Sequence, residues 1–154
     1  STHLFVQLAT NDLTASFATI KTRLYALLDI LKTYPRKQPF VLNTCMPRTT
    51  STDSFVTVAN QTLVGGTTET SRLAWNQWLR SGQARIDLLA LGYRYYGYLD
   101  PAAAVEVNSS GVITTDGGYW QANYTTDGTH PNTTACPIIA ASGTRTVFSN
   151  FLRS

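Results

Sequence analysis

An α/β domain with a parallel sheet between layers of helix is the fold the sequence predicts, on three observations. Apolar runs at His3–Ala9, Pro39–Thr44 and Ala84–Leu91 are hydrophobic nearly throughout, as suits strands covered on both faces. The stretches between them carry apolar residues at helical spacing. The resulting order is strand, helix, strand, helix, strand, long loop, helix, and right-handed crossovers turn it into a three-layer α/β/α arrangement.

Each element has its own reason. The first run is followed by Thr14, a plausible N-cap, and a helix over Ala15–Thr33 whose Phe17, Ile20, Leu24, Leu27, Leu28 and Leu31 form a buried stripe. Tyr34-Pro35 ends it, because the residue before proline is steered away from helical angles. The second run leads into a Thr-rich loop over Cys45–Asp53, and a polar connection with Gly65-Gly66 covers Asn60–Thr70. A helix is expected over Glu69–Arg80, with Leu73, Trp75, Trp78 and Leu79 inward and Gly82 as its stop. After the third run, Gly92–Asn123 reads as irregular and aromatic, with turns at Gly111 and Asp116-Gly117-Gly118 and a short strand or hairpin at Val112-Ile113. Pro137–Phe151 closes the chain as a helix, with Ile138, Ile139, Val147 and Phe148 inward.

The chain has 154 residues, 43% apolar and 14% charged, which indicates one folded domain over residues 1–154. The net charge of +3 is scattered, with no basic run interleaved with aromatics, so no nucleic-acid partner is expected. No apolar stretch reaches the ~18 residues that span a bilayer, and nothing repeats. The chain opens on Ser1-Thr2-His3 and enters its first strand almost at once, as a chain processed at its N-terminus would. Sequons at Asn60, Asn108, Asn123 and Asn132 fit a secreted or extracellular protein, with no glycan expected at Asn132. Cys45 and Cys136 allow either a disulfide or two free thiols. Neither the two cysteines nor the two histidines have metal-ligand spacing, and no glycine-rich phosphate loop occurs, so no metal or cofactor is expected.

Two short stretches carry the chemistry. In Asp127-Gly128-Thr129-His130-Pro131 an acid sits three positions before one of the two histidines. A carboxylate so placed can accept the imidazole N–H, fixing the tautomer and leaving the other nitrogen free to take a proton. The same pattern also describes an Asp-Gly turn with a histidine after it. At the other end, an apolar strand stops at Ala9-Thr10-Asn11-Asp12, delivering an amide side chain to the strand's C-terminal edge.

Ala9-Thr10-Asn11-Asp12 resembles the third sequence block, G-x-N-D, of the SGNH (GDSL-type) hydrolases, a family of esterases, lipases and carbohydrate deacetylases, with Ala9 in place of the usual glycine. Asp127-Gly128-Thr129-His130-Pro131 resembles their fifth block, D-x-x-H-P, and the two occur in the family's order. The resemblance runs from the first strand to the last helix. It implies a flavodoxin-like sheet, His130 as general base, Asp127 as its orienting carboxylate, Asn11 as an oxyanion donor and an ester of a sugar or lipid as substrate. One departure matters more than the matches. The family's serine lies in a Gly-Asp-Ser block upstream of the Asn block, yet only ten residues precede Asn11 and no Gly-Asp-Ser occurs. The chain therefore resembles the C-terminal portion of such a domain, lacking its first strands, with the serine expected on a companion segment. Ser51, Ser54 and Ser142 have no elbow signature and are not assigned as nucleophile.

Other readings stand beside this one. Asn11 could be an Asx-type cap on the following helix, and Asp12 suits a cap or a local backbone bond. Tyr119, Trp120 and Tyr124 precede the D-x-x-H turn and could line a sugar or acyl pocket, or be core. A non-catalytic carbohydrate-binding or surface-interaction module, or a structural domain on the same fold, is the competing expectation.

Overall fold

Val41 and Leu42 have no exposed surface, and the sheet is built around them. They belong to β2 (Phe40–Asn43), which pairs in parallel with β1 (Leu4–Phe5) on one side and β5 (Tyr95–Leu99) on the other. The computed structural model describes residues 4–33 and 38–144, and within them the chain is a mixed α/β domain. Leu4, Val6, Phe40, Leu42 and Tyr95 pack in one core cluster with residues of α1 (Phe17–Lys32), α2 (Thr67–Arg80) and α3 (Gln83–Ala90). Phe5, Asn43 and Leu99 lie on the other face, Leu99 brought there by a register shift in the β2–β5 pairing between Phe40 and Val41, and they border a cleft shared with α4 (Ala135–Ile139).

The first helix follows its periodicity, with Ile20, Leu24 and Leu28 buried. Its cap is Ser16 rather than Thr14, the Ser16 hydroxyl accepting the Thr19 N–H at 3.2 Å. The expected strand over Ala84–Leu91 is instead helix α3. Ala84 and Leu88, four apart, are buried while Ile86 and Leu89 face solvent. A short apolar run fits both periodicities, and Gly82 at φ 81° lets α3 begin directly after α2. The third strand is β5, inside the stretch read as irregular.

Two further pairings lie in segments expected to be loops. β3 (Thr49–Ser51) and β4 (Gln61–Leu63) form an antiparallel ladder, as do β6 (Glu106–Val107) and β7 (Tyr119–Trp120). The expected hairpin at Val112-Ile113 reduces to a single bridge between Val107 and Ile113. The closing helix starts at Ala135, with Pro137 in its first turn where no N–H is required, and continues as a π-helical turn over Ala140–Thr144. Ile138 faces solvent instead of packing inward, whereas Ile139 packs against a small second core. Val147, Phe148 and His3 lie outside the described residues. Cys45 is buried and Cys136 exposed, and both are free.

Helix α2 buries Trp75, Trp78 and Leu79 as expected and leaves Leu73 half-buried, and it adds a buried polar stripe that the sequence reading did not name. The Asn76 amide accepts the Cys45 N–H at 2.7 Å and donates to the Cys45 carbonyl at 2.9 Å. One turn earlier, Arg72 forks onto Glu69 at 2.8 and 2.7 Å and meets the fully buried Glu106 at 2.8 Å. Glu106 also accepts the Gly118 N–H at 2.9 Å, so its charge is matched within the core. Arg72→Met would strand that carboxylate. It is expected to lower the unfolding free energy by about 3–5 kcal/mol, read as a shift in the urea midpoint, whereas Arg23→Met on the exposed face of α1 should change it by no more than about 1 kcal/mol.

Candidate active site

The Asp127–His130 segment is a hydrogen-bonded turn whose hub is a carboxylate. One Asp127 oxygen accepts the backbone N–H groups of Thr129 and His130, each at 2.8 Å. The other stands 2.7 Å from His130 Nδ1. Thr125 Oγ1 closes the turn by accepting the Gly128 N–H at 3.0 Å and donating to the His130 carbonyl at 2.8 Å. Burial pushes the Asp127 carboxyl up, but the bonds from the His130 ring and from the two backbone N–H groups outweigh it and hold the group well below the usual carboxylate range. An ionised carboxylate only accepts, so Nδ1 carries the proton, and in the neutral imidazole Nε2 is the lone-pair acceptor. The ring is 71% exposed, which leaves that nitrogen open to an incoming hydroxyl.

Gly128 is what permits this turn. Its φ is 73°, and a Cβ placed there would lie 1.8 Å from the Thr49 carbonyl oxygen. The Thr49 N–H donates to the Gly128 carbonyl at 3.0 Å, so the turn lies directly against β3.

The amide arrives from the opposite end of the sequence. β1 continues as an extended segment, with the Val6 N–H bonded to the Val41 carbonyl at 3.0 Å. The chain then bends at Ala9, whose φ of 80° is a backbone state that favours glycine, and the Asp12 N–H closes the bend on the Ala9 carbonyl at 2.8 Å. Asn11 stands exposed at its tip. Since Ser16 caps α1, Asn11 is released from that role, and Asp12 pairs instead with Arg23.

Asn11 and His130 line one cleft of about 420 Å³, together with Ala9, Thr10, Met46 and Thr129. A second, more apolar cleft of about 470 Å³ adjoins it, sharing Gln7 and Met46 and bordered by Phe5, Leu99, Pro131 and Ile139. Met46 thus stands between the two. Sequence reading placed it only in a loop, and its position right after a buried strand's C-terminal edge was the available signal.

The aromatic residues are placed differently from the expected pocket. Trp120 is fully buried, its indole N–H donating to the Pro47 carbonyl at 3.0 Å, so it has no surface to offer a ligand. Tyr119 and Tyr124 are half-buried and border neither cleft. The nearby thiol is no substitute for a hydroxyl nucleophile, because burial pushes Cys45 up to about 11 against the opposing pull of Thr10, Arg72 and Arg48. Ser51 donates to Asp53 at 2.7 Å and Ser142 to the Ile139 carbonyl at 2.7 Å. Among the described residues no group of His, Cys, Asp and Glu could hold a metal ion, and no helix is long and apolar enough to cross a membrane.

Comparison with protein-family models, with curated proteins and with solved structures returns no match.

Two outcomes check this geometry. Gly128→Ala is expected to displace the turn from β3, with loss of the slow exchange of the Thr49 amide. Because the folded-state pKa of Asp127 is depressed, its contribution to stability is present above the unfolded carboxylate value and is lost as pH falls through the folded one. Carbon-detected NMR should accordingly find Asp127 still ionised at about pH 3, roughly a unit below the ordinary carboxylate pKa.

Proposed function

We propose that this chain is the dyad-bearing portion of a serine ester hydrolase of the SGNH type, a three-layer α/β/α domain whose nucleophilic serine comes from an N-terminal segment outside the chain. The observation that carries the reading is that Asn11 and His130, from opposite ends of the sequence, line one cleft with Asp127 fixing the imidazole. In that cleft Nε2 of His130 would take the proton of the serine hydroxyl as its oxygen attacks the ester carbonyl. The Asn11 side-chain N–H would donate to the oxyanion that forms. Collapse of the tetrahedral species expels the alcohol with the proton returned from His130, and water repeats the cycle on the acyl-serine. The apolar cleft beside Met46 suits the acyl part of an esterified sugar or lipid.

β1 and β5 are the two edge strands of the sheet among the described residues. A sheet edge is a place for a further strand to pair, and a companion segment carrying the serine would take such a position. A non-catalytic carbohydrate-binding role draws no support from Trp120, which is enclosed.

The test is hydrolysis of p-nitrophenyl acetate by this chain alone and by the chain joined to its upstream segment. The chain alone should be inactive and the joined protein active. In the joined protein Asn11→Ala should lower turnover ~100-fold or more, the effect of losing one oxyanion donor. Asp127→Asn should lower it up to ~10⁴-fold, as loss of the orienting carboxylate does in other serine hydrolases. His130-dependent turnover by the chain alone would show that the nucleophile lies within it. Saccharide binding indifferent to Asp127→Asn and His130→Ala would favour the binding module.

A further inference from the structure

Arg48 stands one residue before β3 and reaches both walls of the cleft. One arm of its guanidinium, Nη1, donates to Thr129 Oγ1 at 2.8 Å, and the other, Nη2, donates to the Thr10 carbonyl at 2.8 Å. Thr129 precedes His130 and Thr10 precedes Asn11, so each bond falls next to a proposed functional side chain. Among the described residues the hydrogen bonds that cross between the two loops run through this guanidinium. Its neighbour Thr49 adds the backbone bond to Gly128 at 3.0 Å.

The base of the clamp is itself fixed. The Arg48 carbonyl accepts the Val64 N–H at 2.9 Å and the preceding Pro47 carbonyl accepts the Trp120 indole at 3.0 Å. Three residues upstream, Cys45 is tied at both backbone groups to Asn76.

We infer that Arg48 is a positioning residue that sets the separation of the amide loop from the imidazole loop. This rests on reading the cleft as catalytic. The geometry calls for arginine, because a planar guanidinium directs donors at two separate acceptors at once, whereas a lysine ammonium is a single point on a flexible stem. The gap between Asn11 and His130 is then set before a substrate arrives, and a displacement of about 1 Å in such a pair can lower a rate ~100-fold.

The experiment is amide hydrogen exchange by NMR on the full chain and its Arg48→Met, Arg48→Lys and Thr129→Val variants. In Arg48→Met the Asp12 and Thr49 amides, which close the two loops, should exchange faster by on the order of tenfold, about what one charge-assisted hydrogen bond contributes. The sheet amides of Val6 and Thr44 should keep their rates. Thr129→Val, nearly isosteric, should loosen the Thr49 side alone, and it reads the clamp even if Arg48→Met fails to fold. Lysine should protect one loop and leave the other fast. Unchanged exchange at both loops, or acceleration shared equally with the sheet, would overturn the inference. No hydrolysis enters this readout, so an inactive protein can still show the clamp and an active one can lack it. In the joined active protein Arg48→Met should lower kcat with KM little changed, and a rise in KM alone would instead assign Arg48 to the substrate.

Discussion

A single amide side chain of α2, which meets the chain two residues past the end of β2, governs how the site is presented. Asn76 occupies both backbone groups of Cys45 from within the core, ending the central strand at a fixed point where its ladder would otherwise leave a buried donor and acceptor without partners. From there the chain has two residues before Arg48 and three before β3, so Met46, Arg48 and Thr49 emerge in set directions. The clefts, the contact with Gly128 and the bridge to Thr10 all descend from that point.

The same logic explains why a chain with few charges buries several of them. Arg72 and Glu106 have no exposed surface, and Arg80 forks onto Asp100 at 2.8 Å with both arms. Each pair joins α2 to a segment far along the chain, so these ions hold the irregular stretch after β5 against the helix. Buried pairs of this kind add little net stability beyond a hydrophobic equivalent, but breaking one leaves an uncompensated charge. They therefore specify which segments meet more than they strengthen the contact.

The two halves of the site are built by different means. The dyad is local: Asp127, two backbone N–H groups and the imidazole lie within four residues, and the turn needs only Gly128 and Thr125 to form. The amide loop is a forced bend, with Ala9 buried and in a left-handed backbone state. A glycine would adopt that state freely, whereas the Ala9 Cβ makes it strained. Bringing these halves together depends on the sheet and on the arginine between them.

Where an interaction closes within a few residues, the sequence showed it in advance. The stripe of α1, the apolar strand β2 and the Asp127–His130 turn were all legible, because helical spacing, continuous hydrophobicity and an acid three places before a histidine are local patterns. The swap of strand and helix between Ala84 and Leu99 was not legible: a short apolar run satisfies either periodicity, and only packing against α2 and β2 chooses between them. Asn76, Arg72 and Arg48 read as ordinary polar residues in sequence, and Trp120 as either core or the lining of a pocket. Apart from the Arg72–Glu69 fork, their side-chain bonds reach partners 27 to 81 positions away, and only the folded chain decides which distant groups need a donor or an acceptor.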